Sequence, residues 1–247
     1  MTMIKEGARL LPVLKVNNRE KNLEFFTQEL GLKPLLEDGP FASLTDASKE
    51  EKLVLEEVPG NRIRAVVGPK KLARLVLKVA DPREIESLLA AGAHDVKLYQ
   101  GDRGWAFEAL SPQGDLVLLH AEEDLSVLIP YEGEAVVFEA LEGFHSLTSF
   151  ELDLIEIHTP DPVKARDFYD SIGHFPQLAF VEQTGPDLLV ASDHTWDLSR
   201  IHIQASPLDL TALEEKMRED VVFVPKNRTF LLAADPSQIE LWFEKKV

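Results

Sequence analysis

Residues 11–26 read LPVLKVNNREKNLEFF, and two periodicities meet in them. LPVLKV is an apolar run of strand length, and beyond Asn18 the residues Leu23, Phe26 and Leu30 recur at the spacing of one helix face. An asparagine oxygen at the first turn accepts from amides that lack a partner inside the helix, so Asn18 is placed to cap it. The stretch predicts a strand, a cap and a helix in succession.

That succession recurs three times. LARLVLKV leads through Asp81-Pro82 to REIESLLAAG, with Ile85, Leu88 and Leu89 on one face. LIEIHT leads through Asp161-Pro162 to VKARDFYDSIG, with Ala165, Phe168, Tyr169 and Ile172. RIHIQA leads through Ser206-Pro207 to LDLTALEEKM, with Leu210, Leu213 and Met217. Proline directly after a capping Asp or Ser gives up only an amide that had no partner, which makes the pair a helix-start signal. Alternating runs follow each helix: KPLLED, FASLTD and EKLVLEEV; DVKLYQ, GWAFEAL and DLVLLHA; QLAFVEQ and DLLVASD; VVFVPK, TFLLAAD and QIELWFE. Each repeat is therefore expected to be a strand, a helix and two or three further strands, a βαβββ unit.

Spacings pair the repeats. Asp81 and Ser206 lie 125 positions apart, and Ser111-Pro112 recurs 124 positions later as Asp235-Pro236, the mark of a duplicated two-repeat domain. Asn18 to Asp161 is 143 positions, and the surplus falls in residues 121–150, which read as a linker. The predicted organisation is α+β, with domains at 1–124 and 150–247 joined by 125–149. The third repeat has 45 residues from Asp161 to Ser206, against 63 from Asn18 to Asp81, so it has room for fewer strands.

A chain of 247 residues, 45% apolar and 28% charged, is long enough to bury a substantial core. It contains no apolar run of membrane length, and MTMIKEGARLL lacks the order of a secretory signal. A cytoplasmic protein is expected, for which a surface or secreted role would need a non-classical route. The net charge of −17 disfavours nucleic acid and anionic membranes as partners. With no cysteine, thiolate catalysis and Cys-ligated zinc are excluded. The His-Glu-x-x-His, Gly-x-Ser-x-Gly and Asp-Thr-Gly signatures of common proteases and hydrolases are absent as well.

Two βαβββ units per domain, curling round a cup with helices outside, resemble the vicinal oxygen chelate superfamily of glyoxalase I, bleomycin-resistance proteins and extradiol dioxygenases. LKVNNREKNLEFFTQELGL and DPVKARDFYDSIG look like its first strand and helix, and SPQGDLVLL and DPSQIELWF like its last strand. LPVLKVNNREKNLEFF, NRIRAVVGPKKL, GWAFEALSPQGDLVLLHAEED and FELDLIEIHTPD resemble more closely the landmarks of the CppA family, described as complement C3-degrading proteinases of streptococci and their relatives. The resemblance implies two glyoxalase-like domains, each a curved, mostly antiparallel sheet with a cup and outer helices. It also implies a hydrolase acting on C3. Two alternatives stand beside that activity: a small-molecule enzyme or binder using the C-terminal cup, and a noncatalytic interaction protein. Superfamily domains pack together or pair across a homodimer.

Superfamily metal ligands come from the first strand of each repeat pair and from the last strand. In the N-terminal half the matching positions, Leu11 or Val13, Arg74 or Val76, and Leu118, offer no ligand, although His120 shares a face with Leu118. The C-terminal half offers Glu156 and His158, two apart on one strand face, His202 between Ile201 and Ile203, and Glu240 in QIELWF. The resemblance makes His158, His202 and Glu240 a candidate facial triad for Fe, Mn or Zn, with Glu156 a weak catalytic candidate. A wet polar cup without metal is the alternative.

The stretch NRIRAVVGPKKLAR, 61–74, gathers Arg62, Arg64, Lys70, Lys71 and Arg74 with no acid among them. With His120 they form the candidate anion or substrate-binding set, since a guanidinium fork matches carboxylate and phosphate. The alternative is that Arg62 and Arg64 pair with acids such as Glu56 or Glu57. Asp193-His194 reads as a loop turn that carries the elements of an acid–base pair.

Overall fold

The Asn18 side chain accepts from the Lys21 amide at 2.8 Å, and the helix it starts follows an eight-residue strand, as the sequence predicts. A computed structural model, described over residues 3–4 and 7–246, resolves the four repeats. The first comprises β1 (Arg9–Val16), α1 (Arg19–Glu24), β2 (Lys33–Asp38), β3 (Phe41–Thr45) and β4 (Leu53–Glu57). The second comprises β5 (Leu72–Val79), α2 (Pro82–Ala91), β6 (Lys97–Gly101), β7 (Gly104–Leu110) and β8 (Leu116–His120), followed by the short β9 (Ile129–Pro130). The third comprises only β10 (Phe150–Thr159), α3 (Pro162–Ile172) and β11 (Leu178–Glu182). The fourth comprises β12 (Leu198–Ala205), α4 (Leu210–Met217), β13 (Val221–Phe223), β14 (Phe230–Ala234) and β15 (Glu240–Lys245).

Helix starts are set by side-chain oxygens. Asp81 and Asp161 accept from the amides of Arg83 and Lys164 with proline next in line, and Gly92 closes α2 at φ 96°, a conformation that suits glycine. The fourth helix departs from expectation. Asp209, rather than Ser206, is its cap, because that carboxylate reaches the amides of both Thr211 and Ala212. The first helix widens after α1 into a π-turn over Phe25–Glu29, which turns Phe25 and Phe26 together into the core. In the third repeat DLLVASD forms turns and no strand, so the shortage of residues removed it.

The sheets are mixed, and their pairing is nested. β1 runs antiparallel to β12, with Leu11 opposite His202. β12 in turn runs parallel to β15, and β14 and β13 follow antiparallel. In the other sheet β5 runs parallel to β8, which continues antiparallel through β7 and β6 to β9, while β10 lies on the far side of β5. The first strand of repeat one thus lies beside that of repeat four, and the first strand of repeat two beside that of repeat three.

Two compact units result, and each is built from segments that are apart in sequence. One holds the residues through Asn17, Val58–Ala73 and Glu156 onward; the other holds Asn18–Glu57 and Arg74–Ile155. The division into 1–124, 125–149 and 150–247 follows the repeats, whereas the compact units follow the nesting. In the first unit Ile201, Ile203, Leu231, Leu241 and Phe243 are fully buried on one sheet face. Burial of each such side chain stabilises by roughly 1.5–3 kcal/mol. In the second unit Val76, Ala106 and Leu118 form a cluster on which Tyr99, Leu125, Leu128 and Leu154 pack.

Candidate functional site

Strand alternation in RIHIQA and ELWFEK sends the apolar residues to the buried face of the first unit and leaves the other face to Arg200, His202, Gln204, Glu240, Trp242 and Glu244. The parallel register sets Arg200 beside Glu240, His202 beside Trp242 and Gln204 beside Glu244. Arg200 Nε donates to the Glu240 carboxylate, and Gln204 Nε2 donates to Glu244 at 2.6 Å. The Arg200 guanidinium also lies 5.5 Å from the centre of the Trp242 ring.

Aromatic rings form a row across the same strands. Trp242 stacks on Phe230 at 4.1 Å, His202 flanks it at 5.3 Å, and Phe223 on the edge strand lies 6.0 Å beyond Phe230. Burial, followed by the positive charge of Arg200, pushes the His202 imidazole down to about 4, so it is neutral near neutral pH. Two nitrogens here are buried without a partner, His202 Nε2 and Trp242 Nε1. A buried N–H or ring nitrogen left unpaired costs about 1–3 kcal/mol, and such a cost points to a polar group that arrives from outside.

The expected metal triad is not assembled. His158 stands on β10, in the other sheet from β12 and β15, and its Nδ1 lies 2.8 Å from the Lys70 carbonyl oxygen. Glu240 is already engaged by a guanidinium, and Glu156 shares the β10 face with His158. Among the described residues no three His, Asp or Glu side chains are grouped to hold an ion. The donor set therefore does not fit Fe, Mn or Zn: nested pairing separates His158 from the other two, and Arg200 supplies the cation that Glu240 would otherwise seek.

The basic run is dispersed as well. Arg64 forms a two-pronged pair with Asp187 at 2.6 and 2.7 Å, not with Glu56 or Glu57, and Asp187 accepts from the Val67 amide too. The Arg64 hydrogen bond leads in holding the Asp187 carboxyl down at about 2. Lys71 is only 1% exposed; its Nζ donates to the Val190 carbonyl, and burial lowers its pKa against the pull of Asp235, Asp197 and Asp187. Asp235 accepts from Tyr169 Oη at 3.0 Å and from the amides of Ser237 and Ile239, and burial raises its carboxyl to about 6. Arg62 is exposed, and the Lys70 carbonyl takes His158.

Two members of the set belong to the second unit. Arg74 lies 3.5 Å from Glu108. His120 is buried, and its Nδ1 accepts from the Glu122 amide at 3.1 Å, which places the ring proton on Nε2. That Nε2 stands 3.1 Å from an Asp153 oxygen but off the line of a hydrogen bond. A cleft of about 420 Å³ in this unit is lined by Lys21, Phe25, Gln28, His94 and Pro112, among others, and none of its lining residues carries an unpaired buried polar atom. The β12–β15 face is the stronger candidate for that reason.

The model of the CppA N-terminal family matches residues 10–130 and that of the CppA C-terminal family residues 147–243. The crystal structure of the cppA protein from Streptococcus pneumoniae TIGR4 is 42% identical, with a TM-score of 0.88, over 96% of this chain and 97% of that one. This chain belongs to the CppA family. Glyoxalase I from Zea mays, 11% identical over 97% of this chain and 92% of that one, aligns with a TM-score of 0.57, a likeness of fold alone. No curated protein matches the sequence. The CppA chain thus carries the α+β vicinal oxygen chelate fold that its repeats imply.

Sequence reasoning placed His202 and Glu240 on this face but missed Arg200, Gln204, Trp242 and Glu244. The same alternation that turned Ile201 and Ile203 inward carried the signal for them. Lys71 gave none: in sequence it is one of two adjacent lysines after a proline.

Proposed function

We propose that this CppA protein binds a small molecule on the β12–β15 face and does so without a resident metal. The observation that carries the reading is the pair of unpartnered nitrogens, His202 Nε2 and Trp242 Nε1, beside the Arg200–Glu240 pair. A thermal-stability screen of the purified chain against a metabolite panel, run with and without EDTA, tests it. The expected hit raises Tm equally in both conditions, since a ligand bound only by the native state stabilises it. The Trp242→Phe variant is expected to weaken the response. Hits that appear only with added divalent metal, or that ignore W242F, count against the reading.

Proteolysis of C3 comes with the family resemblance, and one arrangement favours it. His194 Nδ1 lies 2.7 Å from Asp193 Oδ1, the contact of an imidazole with an orienting carboxylate, and both side chains are open to solvent. Incubation of purified C3 with repurified protein tests this. Cleavage that stays with the protein peak and falls at least 100-fold in His194→Ala supports proteolysis; cleavage that separates from the peak removes it.

A further inference from the structure

We infer that the β12–β15 face recognises a carboxylate, with the Arg200 guanidinium as its receiver and Glu240 as the residue that aims that guanidinium. This deepens the small-molecule reading and rests on it.

The guanidinium has five N–H donors in a rigid fork. Glu240 engages it through Nε, and among the described residues its terminal nitrogens make no hydrogen bond to protein. Ring contact with Trp242 at 5.5 Å supports one side of it. Arg200 and Glu240 are still 23% and 25% exposed, so the fork is fixed yet reachable. Trp242 Nε1, which can only donate, is unpaired on the same face; of the other charged groups there, Glu244 already accepts from Gln204, and Arg9 of β1 stands opposite Gln204. The unsatisfied capacity is therefore weighted toward donors, and it asks for an acceptor with two oxygens. A carboxylate matches a guanidinium edge with two parallel bonds, and the row of Trp242, Phe230 and Phe223 offers an apolar bed for the body that carries it.

An aim held by Glu240 makes a prediction opposite to that of simple charge. Removing a negative charge beside a carboxylate site should tighten binding if only Coulomb attraction matters. If Glu240 orients the fork, its removal should weaken binding, because a freed arginine side chain regains rotamer freedom that binding must again remove.

The test uses the full chain, with benzoate as the probe and benzamide as a neutral molecule of the same shape, read by Trp fluorescence and calorimetry. Benzoate is expected to bind at least 10-fold more tightly than benzamide, with EDTA without effect. Arg200→Gln should abolish the preference, and Glu240→Ala should weaken benzoate at least 5-fold while the circular dichroism spectrum is unchanged. Tighter benzoate binding in E240A overturns the aiming role. Equal binding of benzoate and benzamide overturns the carboxylate class but leaves the small-molecule reading standing. Binding of neither probe overturns the carboxylate inference too, and the metabolite panel then decides the broader reading by itself.

Discussion

The two compact units solve the same packing problem in opposite ways. In the second, the face formed by Val76, Ala106 and Leu118 is covered by Leu125 and Leu128 and flanked within the sheet by Tyr99 and Leu154. In the first, the equivalent strands of the fourth repeat hold Arg200, His202, Glu240 and Trp242 half-buried, with two nitrogens unpaired. A repeated strand pattern dictates a curled sheet but not what fills its concave side. Leu125, in the short helical turn Leu125–Val127, and Leu128 cover the Val76–Leu118 part of that face, and its polar side chains stand at the flanks, Arg74 beside Glu108 and the buried His120 with its own unpaired Nε2.

The contrast extends to what stabilises each unit, and the largest effect is expected at Lys71. Truncating it to Ala strands buried Asp235 and Asp197 without their cation, and loss of one partner from a buried charged group costs about 3–5 kcal/mol. Urea unfolding at pH 7 measures this, and the deficit should shrink below about pH 5, where Asp235, with a folded-state value of about 6, takes a proton. Leu118→Ala in the second unit is expected to cost about 2–5 kcal/mol by cavity formation while benzoate binding is unchanged. Altered binding in L118A would mean that the second unit's covered face belongs to the site.

Smaller effects follow from titration. The Asp235 carboxyl is raised by burial, so the native state holds a proton that the unfolded chain has released, and stability should fall as pH rises from about 4 to about 6. The drop is on the order of 2 kcal/mol and should vanish in Asp235→Asn, as read from urea midpoints across that range. Asp187 and Asp46 lie at about 2, the first through its Arg64 hydrogen bond, the second because bonds from Lys52, Ser48 and the Phe150 amide outweigh its burial. Their contribution is present above about pH 4 and is lost as pH falls toward 2. The smallest change is expected for W242F, within ~1 kcal/mol in stability, because the N–H it removes has no partner to lose. A large loss there would show that Trp242 is a packing residue and that the polar face of the first unit resembles the covered one after all.

The fold was legible because its signals are local. Asn18, Asp81 and Asp161 cap where predicted, and most of the alternating runs became strands. Nesting was not legible, since Leu11 gains its His202 neighbour through a pairing that no local period encodes. His158 was assigned to a cup with His202 on the assumption that neighbouring repeats share a sheet. The site was half legible for the same reason: alternation places His202 and Glu240 on one face, but only the register reveals that Arg200 lies beside Glu240.

The pairing of β1 with β12 sets an order of assembly. During synthesis RLLPVLKV precedes LSRIHIQA by most of two domains, so its hydrogen-bonding edge on that side waits for a strand made much later. Contacts so distant in sequence slow folding, and an unpaired apolar strand is a target for misassociation in the meantime. Fragments cut between the repeats, 1–124 and 150–247, would each carry half of that seam. Mixed in equal amounts they should regain structure that neither shows alone by circular dichroism, and two independently folded fragments would contradict this. β1 and β12 thus act as the two halves of a clasp, and the first unit is finished only when β12 and β15 are in place.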